Sequence, residues 1–187
     1  MPITLPQPLA GRYSVADFEN LPPGPPYYEL INGTPTMSPS PIYSHQRLSR
    51  DLLIKLHLFV IERDLGEALC APMDVEFDPE NVFQPDIFFI ANAQRHIIQE
   101  EKKIVGSPDL VMEILSKNKI DDVVKKRYFY EIFGVKEFWL IDLQKKTIEV
   151  LENQDMEFIR YSYAKREGEV ESKLLPGFKV SLQSLFN

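Results

Sequence analysis

Two apolar runs, DLVMEILS (109–116) and VKEFWLID (135–142), flank a segment whose apolar and aromatic residues recur at helical spacing. No other feature constrains the fold as strongly. Both runs are of strand length, and the segment between them, about residues 119–133, meets Gly134, a residue type suited to ending a helix. The three pieces read as a strand-helix-strand unit. Inside the first strand, however, Glu113 stands among Leu110, Val111, Met112, Ile114 and Leu115. A carboxylate there must be neutralised or paired, because an uncompensated charge in an apolar interior is strongly disfavoured.

The remaining segments fit around that unit. Ser14 before VADFENL reads as the cap of a short helix, ended by the stiff PPGPP of residues 22–26. YYELI (27–31) and TPTM (34–37) flank Asn32-Gly33, a strong hairpin signal because a type I′ turn needs positive φ at both positions. Ser40-Pro41 reads as a cap and first turn of a helix running to about residue 62, with Leu48, Leu52, Leu56 and Phe59 along its buried stripe. His45 falls at the N-terminal end of that stripe, facing inward. Residues 67–77 and 83–90 read as two further strands. From residue 147, TIEVLE, EFIRYSYA and EVES read as a meander of antiparallel strands that closes on LPGF and a helical turn near LQSLF.

Composition bounds the reading. The 187 residues, 44% hydrophobic and 26% charged, suit a single domain spanning 1–187 with a substantial core. One cysteine, Cys70, and three scattered histidines (His45, His57, His96) leave neither a disulfide framework nor a zinc site. No basic leader precedes the prolines of the N-terminus and no window is apolar enough for a membrane span, so a soluble protein of the reducing cytoplasm is expected. The net charge of −7 argues against a general polyanion coat. A basic run remains in residues 117–127, where Lys117, Lys119, Lys125, Lys126 and Arg127 oppose Asp121 and Asp122. Such a run is equally suited to a solvated helix face.

Three acids interrupt strands: Glu29 in YYELI, Asp86 in FQPDIFFI and Glu113. Alternation gives Glu113 the face of Val111 and Leu115, and Asp86 the face of Gln84, Phe88 and Ile90. Singly, each acid could face solvent or pair with an arginine. Brought together, two carboxylates within about 4 Å repel by on the order of 4 kcal/mol at an effective dielectric of about 20, so a cluster needs protons or a cation. With only oxygen ligands in view, Mg²⁺ or Mn²⁺ is expected. On the following helix, Asp122, Lys126, Phe129, Tyr130 and Phe133 share a stripe that points Lys126 back toward Glu113, although spacing leaves Lys125 as an alternative.

In order, YELINGTPTMSPSPIYSHQRL (27–48), QPDIFFI (84–90), SPDLVMEILS (107–116) and DVVKKRYFYEIFGVKEFWLID (122–142) resemble the PD-(D/E)xK nuclease superfamily, and more closely its restriction-endonuclease-like Uma-two family. The resemblance implies an α/β, restriction-endonuclease-like core: a mixed β-sheet flanked by helices, with extra C-terminal antiparallel strands. It matches Pro85-Asp86 to the family's PD element, Glu113 to its second acid and Glu29 to the acid of its first hairpin. Leu115 stands where the superfamily usually has lysine. The lysine is expected instead on the helix, in a D-x-x-x-K-x-x-x-Y pattern met by Asp122, Lys126 and Tyr130, while His45-Gln46 matches the family's helix-start signature. The implied activity is metal-dependent endonucleolytic hydrolysis of DNA. Asp86, Glu113, Glu29 and the backbone carbonyl of Ile114 would hold Mg²⁺ (or Mn²⁺), and Lys126 would orient water or neutralise phosphate charge. A two-fold homodimer would cut both strands. The alternative is an inactive nuclease scaffold serving as a nucleic-acid-binding or protein-interaction module; metal-free acid-base hydrolysis of the glycosidase kind ranks last.

Overall fold

The structure, a computed structural model, describes residues 12–21, 27–38, 40–115 and 120–186, with the side chains of 120–122 excepted. The PPGPP segment and the lysines at 117 and 119 lie outside the described residues. In chain order the elements are α1 (Val15–Glu19), β1 (Tyr27–Ile31), β2 (Thr34–Ser38), α2 (Tyr43–Ile61), β3 (Gly66–Cys70), β4 (Val75–Asp78), β5 (Asn81–Phe83) and β6 (Ile87–Ala91). After a 3-10 turn (Asn92–Ile97) come β7 (Ile98–Gln99), β8 (Lys103–Val105), β9 (Leu110–Leu115), α3 (Ile120–Ile132) and β10 (Glu137–Asp142). The chain closes with β11 (Thr147–Gln154), β12 (Glu157–Lys165), β13 (Glu169–Glu171), β14 (Lys179–Ser181) and α4 (Leu182–Phe186).

The central sheet runs β12-β11-β10-β9-β6-β3. Only β9 and β10 pair in parallel, joined by α3, so the strand-helix-strand unit forms as expected and makes the sheet mixed. Gly134 adopts φ +78° directly after α3, a conformation that a Cβ would strain. Successive residues of β9 serve opposite faces. Leu110, Met112 and Ile114 pack with Leu48, Leu52, Leu56 and Val60 of α2, while Val111 packs with Val123 and Tyr130 of α3. Burying each large aliphatic side chain of the α2 stripe contributes about 2 kcal/mol, which holds the helix on the sheet.

A second sheet, β2-β1-β5-β4-β8-β7, was not anticipated. Its hairpin was: Asn32 and Gly33 take φ +51° and +69°, and Glu29 pairs with Thr36 across it. Pro35 is tolerated because β2 lies at the sheet edge. The expected strand over 67–77 divides into β3 and β4, which belong to different sheets, and that over 83–90 divides into the end of β5 and β6. Asp86 therefore sits at the bend before β6 and does not share a strand face with Gln84. Ser14 caps α1 with a reciprocal Asp17 contact. At α2 the cap position is Ile42, not Ser40, and no side chain caps it.

The C-terminal strands are tied back through Glu137, 1% exposed at the start of β10. Its Oε1 accepts from Trp139 Nε1 (2.7 Å) and Ser172 Oγ (2.6 Å), and its Oε2 accepts the amides of Lys173 (2.6 Å) and Leu174 (2.9 Å). Among the described residues no helix is long and apolar enough to cross a membrane.

Candidate active site

The carboxylates of Glu29, Asp86 and Glu113 and the amine of Lys126 meet where the two sheets adjoin. Strand alternation turns Glu113 toward α3, where Lys126 and Tyr130, one turn apart, present to the same face. Glu113 Oε1 accepts from Tyr130 Oη at 2.7 Å and from Lys126 Nζ at 3.2 Å. Lys126 Nζ also lies 2.5 Å from Glu29 Oε1, which accepts the backbone amide of Gln84 at 2.6 Å. The exposures of Glu113, Lys126 and Glu29 are 1%, 2% and 3%, so the group is sealed from bulk water.

Asp86 is held differently. Its Oδ2 accepts the backbone amide of Ile114 at 2.8 Å and lies 3.2 Å from His45 Nε2. An ionised carboxylate only accepts, so His45 carries its proton on Nε2 in this contact. His45 Nδ1 is buried and has no hydrogen-bond partner.

Among the described residues the site has more acid than base. Burial pushes the Glu113 carboxyl up to about 7, aided by the neighbouring Asp86 and Glu29 charges and opposed by Lys126 and the Tyr130 hydroxyl. Burial alone would lower Lys126, but Glu113 and Glu29 hold it above the ordinary lysine range. One ammonium thus stays charged between two acids, and the shortfall of positive charge falls on Glu113. Burial, and then the negative charge of Glu113, holds the Tyr130 phenol well above its usual value, so it remains a donor.

The donor set suits a hard divalent cation in one respect. Every ligand atom the acids bring is a carboxylate oxygen, the type Mg²⁺ takes, and Lys126 and Tyr130 both engage Glu113 Oε1 while Lys126 and the Gln84 amide both engage Glu29 Oε1. No three His, Cys, Asp or Glu side chains among the described residues converge closely enough to form a protein-only cage. Mg²⁺ seldom needs one, being held by one or two carboxylates together with water and substrate phosphate.

Of the residues singled out in the sequence, Glu29, Glu113, Lys126 and Tyr130 are brought into direct contact, with Asp86 and His45 beside them. Ile114 enters through its amide, bonded to Asp86. Lys125 is exposed, and of the two it is Lys126 that reaches Glu29 and Glu113. Gln46 is exposed on the first turn of α2 and touches none of the acids. The side chain of Asp122 lies outside the described residues. Sequence reasoning missed Gln84 as a site residue. Its backbone amide fixes Glu29 and its side-chain Nε2 donates to Asp74 Oδ1 at 2.7 Å. Its place directly before Pro85-Asp86 was the available signal.

The fold is that of restriction-endonuclease-like proteins. A crystal structure described as "a putative nuclease" from Anabaena variabilis superposes with a TM-score of 0.78 at 22% identity, covering 92% of this chain and 97% of that one. Residues 15–183 match the model of the Uma2 family, described as "Putative restriction endonuclease", and the chain belongs to that family. No curated protein matches it.

Proposed function

We propose that the protein is a divalent-metal-dependent phosphodiesterase that cuts DNA endonucleolytically. The observation that carries this reading is a buried group of acids, Glu29 and Glu113 with Asp86 beside them, in which Lys126 is the lysine engaged among the described residues. Such a group is unfavourable without a further cation. Glu113, Glu29 and Asp86, with the carbonyl of Ile114, are the residues that would hold Mg²⁺ or Mn²⁺. The ion would polarise a phosphate oxygen and lower the pKa of a bound water.

The chain's own groups have definable tasks. Lys126 places a fixed positive charge beside the acids and can neutralise charge developing on a phosphate oxygen. Glu29 fixes the position of that amine, and Tyr130 fixes the Glu113 rotamer by donating to one oxygen. His45 orients Asp86. Two copies related by a two-fold axis would bring one site to each strand of a duplex. A reducing cytoplasm would keep Cys70 as a free thiol.

Supercoiled plasmid incubated with Mg²⁺ or Mn²⁺ tests the reading. The parent should nick or linearise it, and Asp86→Asn and Glu113→Gln should not. Cutting by both variants at the parental rate would remove the site assignment. A second reading, a scaffold that binds without cutting, draws on the Lys126 amine between Glu29 and Glu113, which supplies some of the missing charge from within. A folded parent that binds DNA and no metal would favour it.

A further inference from the structure

A cleft of about 670 Å³ opens beside the candidate site, and Gln84 belongs to the walls of both. Phe18 of α1 and Tyr27 and Tyr28 of β1 contribute aromatic surface to it, with Tyr27 44% exposed. Asp74 and Gln84 form a hydrogen-bonded pair in its wall. Lys102 stands exposed at its rim with no ion pair among the described residues, whereas its neighbour Lys103 is engaged by Glu19 and Glu76.

Resting on the phosphodiesterase reading, we propose that this cleft receives an unstacked nucleotide of the substrate strand, next to the phosphate that is cut. Its size lies in the range of small-molecule sites. Aromatic faces accept a base through stacking, which every base can offer once it has left a duplex, and the lysine meets the adjoining phosphate. The Asp74–Gln84 pair adds selectivity. With Gln84 Nε2 already donating to Asp74, what the pair presents to a ligand is chiefly acceptor oxygen, suited to the exocyclic amine of cytosine, adenine or guanine and not to thymine, which has none. Burial raises the Asp74 carboxyl, opposed by the Gln84 hydrogen bond and the Lys103 charge.

The connection to the chemistry is short, a single hydrogen bond of 2.6 Å. The backbone amide of Gln84 holds Glu29, so a base that engages the Gln84 side chain is registered against the acids by the same residue. The strand reaching the site would be single-stranded or locally opened, as for enzymes that extrude a base.

The test is fluorescence anisotropy of labelled single-stranded homopolymers of deoxycytidine, deoxyadenosine and thymidine with the full chain, in EDTA and again in Ca²⁺. The parent should prefer the amine-bearing strands. Tyr27→Ala should weaken binding by about tenfold or more. Lys102→Ala should weaken it less and reduce its salt dependence. Asp74→Asn, which turns half of the acceptor into a donor, should narrow the preference against thymidine. Both exposed positions can be changed without touching the core. Parental affinity in Tyr27→Ala and Lys102→Ala overturns the cleft assignment, as does failure of the parent to bind any single strand in either condition. Equal affinity for thymidine overturns the role of Asp74 and Gln84. Plasmid cleavage with the acid variants is read independently, so the cleft and the phosphodiesterase reading can fail separately.

Discussion

Lys126 Nζ lies 2.5 Å from Glu29 Oε1, closer than the 3.2 Å that separates it from Glu113 Oε1. The lysine therefore joins the second sheet's hairpin to the helix that follows β9. Removing it by Lys126→Ala would leave two buried acids without their cation, and breaking such a pair from one side costs about 3–5 kcal/mol. Urea denaturation of the metal-free protein should register a loss of that size. Adding Glu29→Gln to Lys126→Ala should restore part of it. Losses that simply add would mean the two residues are not energetically coupled.

Glu113 should make the metal-free protein pH-sensitive. Its carboxyl titrates at about 7 when folded and near the ordinary glutamate value when unfolded. Between those values the folded chain holds a proton that the unfolded chain does not. Stability from this group is therefore full below the unfolded value and is lost as pH rises through the folded one. In EDTA, the Tm of the parent should fall between about pH 5 and about pH 8 more steeply than that of Glu113→Gln. Parallel profiles would place the titration elsewhere.

Calorimetric titration of Mg²⁺ and Mn²⁺ should give binding to the parent that disappears in Glu113→Ala. The variant should remain folded, because Lys126 keeps Glu29 as its partner at 2.5 Å and the repulsion that Asp86 and Glu29 exert on Glu113 is relieved. No heat at millimolar metal, with and without DNA, would count against the cation.

Tyr130→Phe isolates one contact. The ring packs against Phe77, Phe83 and Phe138 and should stay in place, while the 2.7 Å bond to Glu113 is lost. A hydrogen bond to a charged acceptor contributes about 1.5–3 kcal/mol. The expected outcome is a stability loss in that range and a larger effect on kcat than on KM. A change confined to KM would argue that Tyr130 acts on substrate binding instead.

Much of this arrangement was legible in the sequence because its parts are periodic. Alternation along β9 put Glu113 on the face of Val111, and the helical repeat put Lys126 and Tyr130 opposite it. Asn32-Gly33 announced its turn. The second sheet was not legible because β4, β5, β7 and β8 run for only two to four residues, too few to express a period. The division of 67–77 between two sheets had no hydrophobic break to mark it. Gln84 was overlooked because its contact with Glu29 is made by backbone, which side-chain chemistry does not reveal.

Asp86 has one further consequence. The last backbone pair between β6 and β9 joins Ile87 to Met112, and beyond it the amide of Ile114 is met by the Asp86 side chain. The carboxylate proposed to bind metal thus also finishes the sheet. A descendant that lost its chemistry would still be selected to keep an oxygen at this position, for architecture alone. In a relative of this kind an aspartate or asparagine here would report an intact scaffold, and the state of Glu113 and Lys126 would be the better guide to whether the proposed chemistry survives.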